Sequence, residues 1–507
     1  MRSLYELIAA LPNATLLHGS NAQILAITDD SRAAAPGSLF VAYQGVGVDA
    51  HHFIPAAVAH GAAAIVCERA DAATDAVTAG IPIIVTPNGR AAFAHLCAAW
   101  HGFASRSMTV IGVTGTDGKT TTSTLLHSIL THAGHHTGLI TTVSAIIGDT
   151  ALDTGLHTTT PKADDVQRIL AQMRDAGATH CVLEVTSHGL AQHRVDGTDF
   201  DIAVVTNITR DHLDLHGTRE AYRAAKARLF EMAPLHVLNI DDDFSFSHLA
   251  RLPSARRLLY SREVQPSGEF ADWWLFAPRA DFEAGTIDAY AFRTDRHEAL
   301  PLRTQLLGGF NVSNIMAACA VAFALDIPRD AIQRGIAAIT GVPGRMQRID
   351  AGQPYLAVVD FAHTPNSLDQ CLHTLRELTP GRLIVTFGCA GERDAQKRPL
   401  MGAAAIAHAD VIVLTSEDPR SENFDDICAQ IEGGMSDAPM PIERIAERGE
   451  ALRYACSLAR PGDTVVACGK GHERSLCFGR TEYAWSDADA MRAAIAGRTM
   501  SLGTAIQ

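Results

Sequence analysis

The feature that most constrains this chain is a short segment in which an apolar β-branched run meets a glycine-containing turn and then a helical pattern. The run Val110-Ile-Gly-Val-Thr114 predicts a buried strand, and apolar residues from Leu125 to Leu130 recur with helical period. The intervening turn and first helical positions are Gly115, Thr116, Asp117, Gly118, Lys119, Thr120 and Thr121. Such a unit points backbone N–H groups and the positive end of a helix dipole at one place. It predicts a parallel α/β sheet with a phosphate site at its edge.

The side chains of this turn suit a nucleoside triphosphate. Lys119 brings a positive charge, and Thr120 brings a hydroxyl of the kind that holds Mg²⁺ in phosphate-binding loops. The common loop pattern has a glycine five positions before Gly118, where this chain has Val113. A tight turn with a solvated lysine is the alternative, but strand, glycines, lysine and helix all stand in the required register. We therefore expect ATP to bind here.

Length and composition limit the remaining possibilities. A chain of 507 residues exceeds one hydrophobic core, and we expect three domains, at residues 1–105, 106–340 and 341–507. The net charge of −14 argues against nucleic-acid binding. Ten scattered cysteines without a C-x-x-C pair are expected to be small buried hydrophobes. Apolar runs are too short to span a bilayer, so we expect a cytoplasmic protein without membrane insertion.

Strand-like runs followed by polar residues recur along the chain. In the middle region they are Cys181–Val185, Ile202–Thr206 and His236–Ile240, which lead into Glu184 and Ser187, Asn207, and 241–243. Ligands of parallel α/β sheets lie at the carboxyl ends of strands, so these residues are site candidates. Further runs at Tyr355–Asp360, Arg382–Phe387, Val411–Leu414 and Thr464–Ala467 predict a second doubly wound sheet. Residues 245–305 are less regular and are expected to be a strand-rich insertion.

Several longer motifs resemble those of one enzyme family. They are Asp29-Asp-Ser-Arg32, Thr159-Thr-Pro161, Glu184-Val-Thr-Ser-His188, Gln192-His-Arg194, Thr206-Asn-Ile-Thr-Arg-Asp-His-Leu-Asp214, Leu307-Gly-Gly-Phe-Asn-Val-Ser-Asn314 and Gly469-Lys-Gly-His-Glu473. Together they make the chain similar, over essentially its whole length, to the Mur ligases of peptidoglycan synthesis. The resemblance is greatest to the members that add the third residue to UDP-N-acetylmuramoyl-L-Ala-D-Glu.

The resemblance implies a central P-loop-type ATPase sheet between an N-terminal uridine-nucleotide domain and a C-terminal Rossmann-like domain. It also implies contacts to the UDP-muramoyl-dipeptide from Ser31, Arg32, Thr159, Thr160, Ser187, Gln192 and Arg194. On their own, residues 29–32 are typical of a solvated turn.

The resemblance further implies a magnesium site. Its ligands would be Thr120, Glu184, His212 and Lys226, the last as a carbamate (N6-carboxylysine). The resemblance also implies that the catalytic residues are Lys119, Glu184, His212 and Lys226. From the residues alone, Glu184 could instead pair with a surface lysine. Lys226, between Arg223 and Arg228, resembles a solvated helix lysine, so the carbamate rests on the resemblance only.

The remaining implied contacts concern the adenine nucleotide. They are Asn311, Asn314, Arg345, Asp360 and His363. Asn311 and Asn314 lie one helical turn apart and can face one base edge, although Asn311 is also a candidate helix N-cap. Phe361 and Asn366 stand where the family motif has tyrosine and aspartate.

The incoming amino acid would be held in the third domain by Arg393, Asp418, Arg420, Gly469 and Glu473. A guanidinium such as that of Arg393 suits a carboxylate. Family members that add meso-diaminopimelate carry D-N-P-R, where this chain has Glu417-Asp-Pro-Arg420. Arg420 and Glu473 favour meso-diaminopimelate, whereas the negative charge of Asp418 favours L-lysine or L-ornithine, which follow closely.

The implied activity is an ATP-dependent amide ligase that uses Mg²⁺, acts on small-molecule substrates through an acyl phosphate and works as a monomer. Two alternatives stay open. Another ligase of this ATPase type, such as a folylpolyglutamate synthetase, would lack the first domain. A non-catalytic module that binds muramoyl-peptides would have no need for Lys119, Glu184, His212 and Lys226 together.

Overall fold

The computed structural model describes most of the chain. It leaves out residues 46, 149, 153–158, 210–212, 263–272, 282–285, 294–295, 437–439 and 507, and also the side chains at 75, 213–214, 273, 280, 292–293 and 296–298. The described part has an α/β architecture with three large sheets of five, eleven and six strands. Each large sheet lies within one of the three predicted domains, whose exact boundaries stay predictions.

The first sheet has the order β2-β7-β6-β5-β4, in which only the β2–β7 pair is antiparallel. The elements of this region are β1 Arg2–Ser3, α1 Leu4–Ile8, β2 Thr15–His18, β3 Gln23–Ile24, β4 Ala26–Thr28, β5 Ser38–Ala42, α2 Ile54–Ala59, β6 Ala64–Cys67, α3 Thr74–Thr78, β7 Ile83–Val85 and α4 Gly89–Trp100. Helix α4 packs its apolar side, including Phe93 and Leu96, onto this sheet.

The central sheet has the order β11-β10-β9-β12-β8-β13-β14-β15-β16-β17-β18 and is parallel from β9 to β16. Its elements are β8 Thr109–Thr114, α5 Lys119–His132, β9 Thr137–Ile140, β10 Ala145–Ile147, β11 Thr150–Leu152, α6 Ala163–Asp175, β12 His180–Glu184, α7 Ser187–Ala191, β13 Ile202–Val205, α8 Leu213–His216, α9 Arg219–Glu231, β14 Leu235–Asn239, α10 Asp243–Leu249, β15 Arg256–Ser261, β16 Trp273–Asp281, β17 Thr286–Arg293, β18 Arg296–Arg303, α11 Gly309–Ala324 and α12 Arg329–Ala337.

The third sheet has the order β19-β20-β24-β21-β22-β23 and is parallel except for β19. Its region contains β19 Gln347–Ile349, β20 Leu356–Asp360, α13 Pro365–Leu378, β21 Leu383–Phe387, α14 Lys397–His408, β22 Val411–Leu414, α15 Phe424–Glu432, β23 Ile442–Arg444, α16 Arg448–Leu458, β24 Thr464–Cys468, β25 Ser475–Phe478, β26 Thr481–Ala484, α17 Asp487–Ile495 and β27 Ala505–Ile506.

Strand β8 shows why the central sheet is covered on both faces. Side chains alternate along a strand, and Ile111 and Val113 enter one apolar cluster while Val110 enters the other. The first cluster also holds Leu125 and Ile129 of α5, so the predicted helical period faces the sheet. Burial on both faces fixes β8 at the centre, and its carboxyl end delivers the glycine turn to the sheet edge.

The strands predicted from sequence are all present, with ends that differ by at most one residue. Residues 245–305 are strand-rich as expected, but the described part is not a separate insertion. Strands β15 to β18 extend the central sheet, and β16, β17 and β18 form an antiparallel meander at its edge. The ten cysteines are free and buried, which confirms that they act as small hydrophobes. Among the described helices, none is long and apolar enough to cross a membrane.

Candidate active site

A cavity of about 870 Å³ lies between the central sheet and the third domain. The central domain contributes the glycine turn and the carboxyl ends of its strands, including Lys119, Glu184 and Asn207. The third domain contributes Asp360, the last residue of β20, and residues that follow β20 and β24, including His472. The cavity therefore lies where the ligands of parallel α/β sheets bind.

Two positions of the turn have no room for a side chain and therefore require glycine. Gly115 has φ +155°, and a Cβ there would lie 1.8 Å from Oγ1 of Thr206. Gly118 has φ +83°, and a Cβ there would lie 2.2 Å from Oδ1 of Asn314. Asn207 holds the turn from β13: its carbonyl accepts from the Thr116 N–H at 2.7 Å, and its Oδ1 accepts from the Asp117 N–H at 3.0 Å. Two hydrogen bonds from Asn207 and the close packing at both glycines thus fix the conformation of the turn.

Two lysines converge on one carbonyl oxygen of this turn. Lys119 Nζ donates to the Gly115 carbonyl at 3.0 Å and to the Thr116 carbonyl at 2.7 Å. Lys226 Nζ, from α9, donates to the same Gly115 oxygen at 2.6 Å and lies 4.6 Å from the Tyr222 ring centre. Lys226 is only 1% exposed, so the alternative of a solvated helix lysine is wrong.

Glu184 stands at the end of β12, 1% exposed, against the start of the helix that carries Lys119. Its Oε2 accepts from the Thr120 hydroxyl at 3.0 Å and from the Thr142 N–H at 3.1 Å. Its Oε1 accepts from the Thr142 hydroxyl at 3.1 Å. Glu184 is therefore not the partner of a surface lysine but the centre of a cluster of oxygen groups.

Several residues expected to contact the muramoyl-dipeptide lie together beside Glu184. The hydroxyl oxygens of Thr142 and Thr159 lie 3.1 Å apart, and the Thr160 hydroxyl donates to the Glu184 carbonyl at 3.1 Å. Arg194 donates to the Thr160 carbonyl at 2.7 Å and to Gln192 Oε1 at 2.8 Å.

Two further predicted positions, Ser31 and Arg32, lie apart from this group. They form an exposed turn of the first domain, where Arg32 pairs with Asp30 at 2.7 Å, and they do not line the cavity. Ser187 is buried beside His216, with its hydroxyl 3.1 Å from Nε2.

The third-domain wall carries the residues expected near the nucleotide. Asp360 accepts from the backbone N–H groups of Met346 and Ala362 at 2.6 and 2.8 Å, and burial raises its pKa despite these contacts. Arg345 lies 4.7 Å from the ring centre of Phe361, and His363 lines the same wall. Burial, with the charge of Arg345, lowers the pKa of His472 to about 3, so this imidazole is neutral.

The two asparagines of α11 lie one turn apart, as the spacing predicts. Asn314 lines the cavity and donates to Oδ1 of Asn311 at 2.9 Å, while Asn311 donates to the Leu307 carbonyl at 2.7 Å. The N-cap of α11 is Gly308, so the alternative of an Asn311 cap is wrong. Asn311 itself does not line the cavity and supports Asn314 from behind.

The residues expected to hold the amino acid are only partly brought together. Both oxygens of Asp418 accept from Lys470 Nζ, at 2.9 and 3.0 Å, and Lys470 also pairs with Glu473. Burial opposes the charge of Lys470, but Glu473 and Asp418 raise its pKa above the usual value. The charge of Asp418 is therefore already matched inside the protein, which the sequence did not reveal.

Glu417, beside Asp418, is buried without a hydrogen bond at Oε2. A Cβ at Gly469 would lie 2.3 Å from that oxygen, and burial raises the pKa of Glu417 to about 7. Arg420 donates to the Gly391 carbonyl at 2.7 Å. Arg393 is exposed and does not line the cavity. His212 lies outside the described residues.

Comparison with known proteins agrees with this geometry. Three family models match in succession: the Mur ligase family catalytic domain at residues 23–101, the Mur ligase middle domain at 113–322 and the Mur ligase glutamate ligase domain at 344–471. The UDP-N-acetylmuramyl-tripeptide synthetase of Roseiflexus sp. (strain RS-1) is 41% identical, over 97% of this chain and 98% of its own length.

The chain belongs to the Mur ligase family. The UDP-N-acetylmuramoyl-L-alanyl-D-glutamate–2,6-diaminopimelate ligase of Geobacillus kaustophilus (strain HTA426) is 39% identical, over 98% of this chain and 99% of its own. A solved structure of an enzyme with that name is 32% identical, with a TM-score of 0.64 over 93% of this chain and 95% of its own.

These matches settle the class of activity. The chain is an ATP-dependent ligase of peptidoglycan synthesis with the three-domain Mur ligase fold. The expectation of a Mur ligase is confirmed, and the alternative of a non-catalytic binding module is wrong. Because the first family model and the curated relatives cover the N-terminal region, the alternative without a first domain is also wrong.

Some residues of this Mur ligase site were missed from the sequence. Thr142 supplies two of the hydrogen bonds to Glu184, and Lys470 neutralises Asp418. Thr142 carries no motif of its own. Lys470 stands inside the Gly469–Glu473 motif, so its position next to two functional candidates was the available signal.

Proposed function

We propose that this ligase joins a diamino acid to the γ-carboxylate of D-Glu in UDP-N-acetylmuramoyl-L-Ala-D-Glu. The observation that carries the proposal is the convergence of Lys119, Lys226 and the oxygen cluster of Glu184 on one phosphate-binding turn. The names of the relatives from Geobacillus and Roseiflexus support the same substrate class.

The reaction divides into two balanced steps. A γ-carboxylate oxygen of D-Glu attacks the γ-phosphorus of ATP, and the bond from that phosphorus to the ADP oxygen breaks. The neutral amine of the diamino acid then attacks the acyl carbon, the carbon–oxygen bond to phosphate breaks, and the amine proton is released. The products are ADP, phosphate and an amide.

Lys119 is placed to neutralise charge on the moving phosphoryl group. Its ammonium donates hydrogen bonds to the carbonyls of Gly115 and Thr116. It therefore lies next to the helix N-terminus, which attracts phosphate oxygens. Phosphoryl transfer depends mainly on such positioning and charge stabilisation. We therefore assign Lys119 to the γ-phosphate, with Gly115, Thr116, Asp117, Gly118, Thr120 and Thr121 around the phosphate chain.

The residues at Glu184 fit Mg²⁺. A carboxylate with hydroxyl groups on both sides is a set of hard oxygen donors, and Mg²⁺ commonly takes one or two carboxylates together with substrate phosphates. Bound there by Glu184, Thr120, His212 and the modified Lys226, the ion would offset negative charge on the phosphates.

The two ammonium groups at the Gly115 oxygen support the carbamate proposal. Lys119 and Lys226 donate to one atom, so their positive charges repel at short range. Addition of CO₂ to the neutral Lys226 amine releases a proton and gives a carbamate anion, which turns this repulsion into attraction. We propose that Lys226 is N6-carboxylysine in the active enzyme.

The amino-acid substrate is proposed to be meso-diaminopimelate, with L-lysine or L-ornithine second. Because Lys470 already matches the charge of Asp418, repulsion of a distal carboxylate by Asp418 is reduced. Arg420 would bind that carboxylate and Glu473 the distal ammonium. Two observations favour L-lysine or L-ornithine instead. Arg420 already donates to the Gly391 carbonyl rather than being free for a distal carboxylate, and Asp418 stands where the diaminopimelate motif has asparagine.

The deciding experiment measures ADP, phosphate and peptide mass with purified protein, ATP, Mg²⁺ and UDP-N-acetylmuramoyl-L-Ala-D-Glu. meso-Diaminopimelate, L-lysine and L-ornithine are supplied in turn. We expect one phosphate per tripeptide, with the highest kcat/KM for meso-diaminopimelate. Absence of phosphate release with all three would contradict the proposed reaction, while a preference for lysine or ornithine would correct only its third substrate.

We further propose that the enzyme works as a monomer in the cytoplasm. The support is that its substrates are small nucleotides and amino acids, and that one chain brings together both walls of the cavity. Light scattering at micromolar concentration should give the mass of one chain, 54.1 kDa.

A further inference from the structure

The first domain meets the central domain through helix α4 and a turn that follows α7. A Cβ at Gly197 would lie 2.4 Å from the Ala94 carbonyl and 2.9 Å from the Ala98 Cβ. The turn and the helix are thus in direct backbone contact. This turn carries His193, which is flanked by two residues proposed to bind the muramoyl-dipeptide.

Among the side-chain hydrogen bonds that cross the junction, one joins Asn88 of the first domain to the turn that carries His193. Asn88 caps α4, with its Oδ1 accepting from the Ala91 N–H at 3.0 Å. That contact fixes the orientation of the amide, so Nδ2 points away from the helix and donates to Nε2 of His193 at 2.9 Å. The two residues belong to different domains and lie 105 positions apart in the chain.

The hydrogen bonds of His193, the partner of Asn88, determine which ring nitrogen carries the proton. Because Nε2 accepts a hydrogen bond, the ring proton is on Nδ1, which donates to Asp196 Oδ2 at 2.6 Å. Asp196 also accepts from Arg228 at 3.0 Å. His193 has φ +59°, a left-handed conformation that few residues other than glycine adopt, although histidine, asparagine and aspartate adopt it more often than most. The surrounding contacts therefore determine this turn.

The contacts lead on to both sides of the proposed reaction centre. Arg194, next to His193, donates to the Thr160 carbonyl beside Glu184 and to Oε1 of Gln192. Arg228 stands on α9, the helix that carries Lys226. His193 does not itself line the cavity. It is placed to act on the substrate-binding residues rather than on the substrate.

We infer that the Asn88–His193 hydrogen bond is a positioning contact that fixes the Gln192–Arg194 turn for the nucleotide-sugar substrate. This inference rests on the proposed function. A substrate that spans the first and central domains needs both in one relative placement, and this bond ties them at the turn that would receive its peptide. Positioning of this kind acts on affinity for the nucleotide-sugar and not on affinity for ATP.

The test uses two variants that keep the local fold. Serine is as good an N-cap as asparagine but is too short to reach His193, so Asn88→Ser removes only the bond across the junction. In His193→Asn, the asparagine tolerates the left-handed conformation and can still donate to Asp196. Asn423→Ser, the same change at the N-cap of α15 in the third domain, is the matched control.

The readouts are the Kd of UDP-N-acetylmuramoyl-L-Ala-D-Glu by calorimetry and the KM values of that substrate and of ATP. We expect Asn88→Ser and His193→Asn each to raise the Kd and KM for the nucleotide-sugar roughly threefold to tenfold, as for loss of one neutral hydrogen bond. The KM for ATP should stay unchanged, and the double variant should be no worse than either single one. Asn423→Ser should match wild type.

The inference would be overturned by unchanged nucleotide-sugar affinity in both variants, or by equal rises in both KM values with a lowered Tm. Additive effects in the double variant would also overturn it, since the two side chains would then act separately. Failure of the proposed function is distinguishable, because wild type itself would then not bind the nucleotide-sugar.

Discussion

The charged groups on the two sides of the cavity have different kinds of partner. In the central domain, Lys119 and Lys226 donate to the Gly115 carbonyl, and Glu184 accepts from hydroxyl and N–H groups. In the third domain, Lys470 and Asp418 lie behind the cavity lining, and Lys470 lies between the carboxylates of Asp418 and Glu473.

Farther behind that wall, the fully buried Arg448 donates to Asp487 at 2.6 Å. Here charge meets opposite charge, whereas in the central wall Lys119 and Glu184 are held by neutral carbonyl, hydroxyl and N–H groups.

This difference suggests that the charges of the two walls have different roles, one in the reaction and one in the structure. A charge held by neutral groups still has most of its field to offer to a phosphate or a metal ion. A buried ion pair offers little field, and removal of one partner leaves a costly unpaired charge. We therefore expect changes in the central wall to lower turnover, and changes in the third-domain wall to alter stability or amino-acid choice.

The largest effect is expected for Lys119→Ala. Loss of one charged group that stabilises a transferring phosphoryl group lowers the rate on the order of a hundredfold or more. Phosphate release should fall at least that far, with little change in Tm. The control is Lys162→Ala, an exposed lysine of the same domain, which should keep wild-type turnover. Near-normal turnover in Lys119→Ala would show that the central wall does not supply this charge.

The next largest effect is expected for Lys226→Met, which keeps most of the side-chain volume but cannot form a carbamate. Turnover should fall at least tenfold, and formate or acetate should restore part of it by supplying a small anion at the same place. Carbon-13 NMR of wild type equilibrated with labelled bicarbonate should show a carbamate signal that the variant lacks. Unchanged turnover, with no response to small acids, would reject the assignment.

Glu417→Gln tests the third-domain wall through stability. Burial raises the pKa of Glu417 to about 7 in the fold, compared with an unfolded value near 4.3. The folded state therefore keeps this proton to higher pH, and the free energy of unfolding falls as pH rises between these two values. The loss is complete above pH 7 and amounts to at most about 4 kcal/mol.

Because glutamine does not titrate, Glu417→Gln should raise Tm at pH 8 relative to wild type, and less so at pH 5. Thermal unfolding at the two pH values measures this. The exposed Glu443→Gln is the control, with an expected pH-independent effect. An equal Tm change at pH 5 and pH 8 in Glu417→Gln would show that this carboxyl group does not titrate differently in the fold.

The smallest effect is expected for Asp418→Asn. The change leaves Lys470 paired with Glu473 alone, so Glu473 is neutralised more fully and attracts a substrate ammonium less. The KM for the diamino acid should rise a few-fold, while the KM for ATP stays the same. Asp489→Asn, which removes an exposed carboxylate of α17, is the control. A lowered KM would show that Asp418 acts on the substrate directly, as the sequence alone suggested.

The sequence predicted the central wall better than the third-domain wall for a physical reason. From β8 to α5, strand, turn and helix are contiguous, so local register alone places Lys119 and Thr120 at the sheet edge. The strand ends at Glu184 and Asn207 follow from the parallel sheet in the same way.

Charge pairing in the third domain depends instead on contacts between distant segments. Asp418 and Lys470 are 52 positions apart, and the sequence gives no sign that one neutralises the other. The burial of Lys226 was hidden for a related reason: its neighbours Arg223 and Arg228 suggested a solvated helix face. Only the packing of α9 against the glycine turn places Lys226 in the interior.

The burial of Lys226 has a consequence for chemical selectivity. Lys226 is 1% exposed, and its amine lies between a backbone carbonyl and an aromatic ring. The packing therefore selects by size the molecules that can reach this amine. A gas molecule of three atoms can enter by small fluctuations of the packing, whereas bulky acylating reagents cannot. Amine labelling of the native enzyme should therefore mark its surface lysines and leave this position untouched.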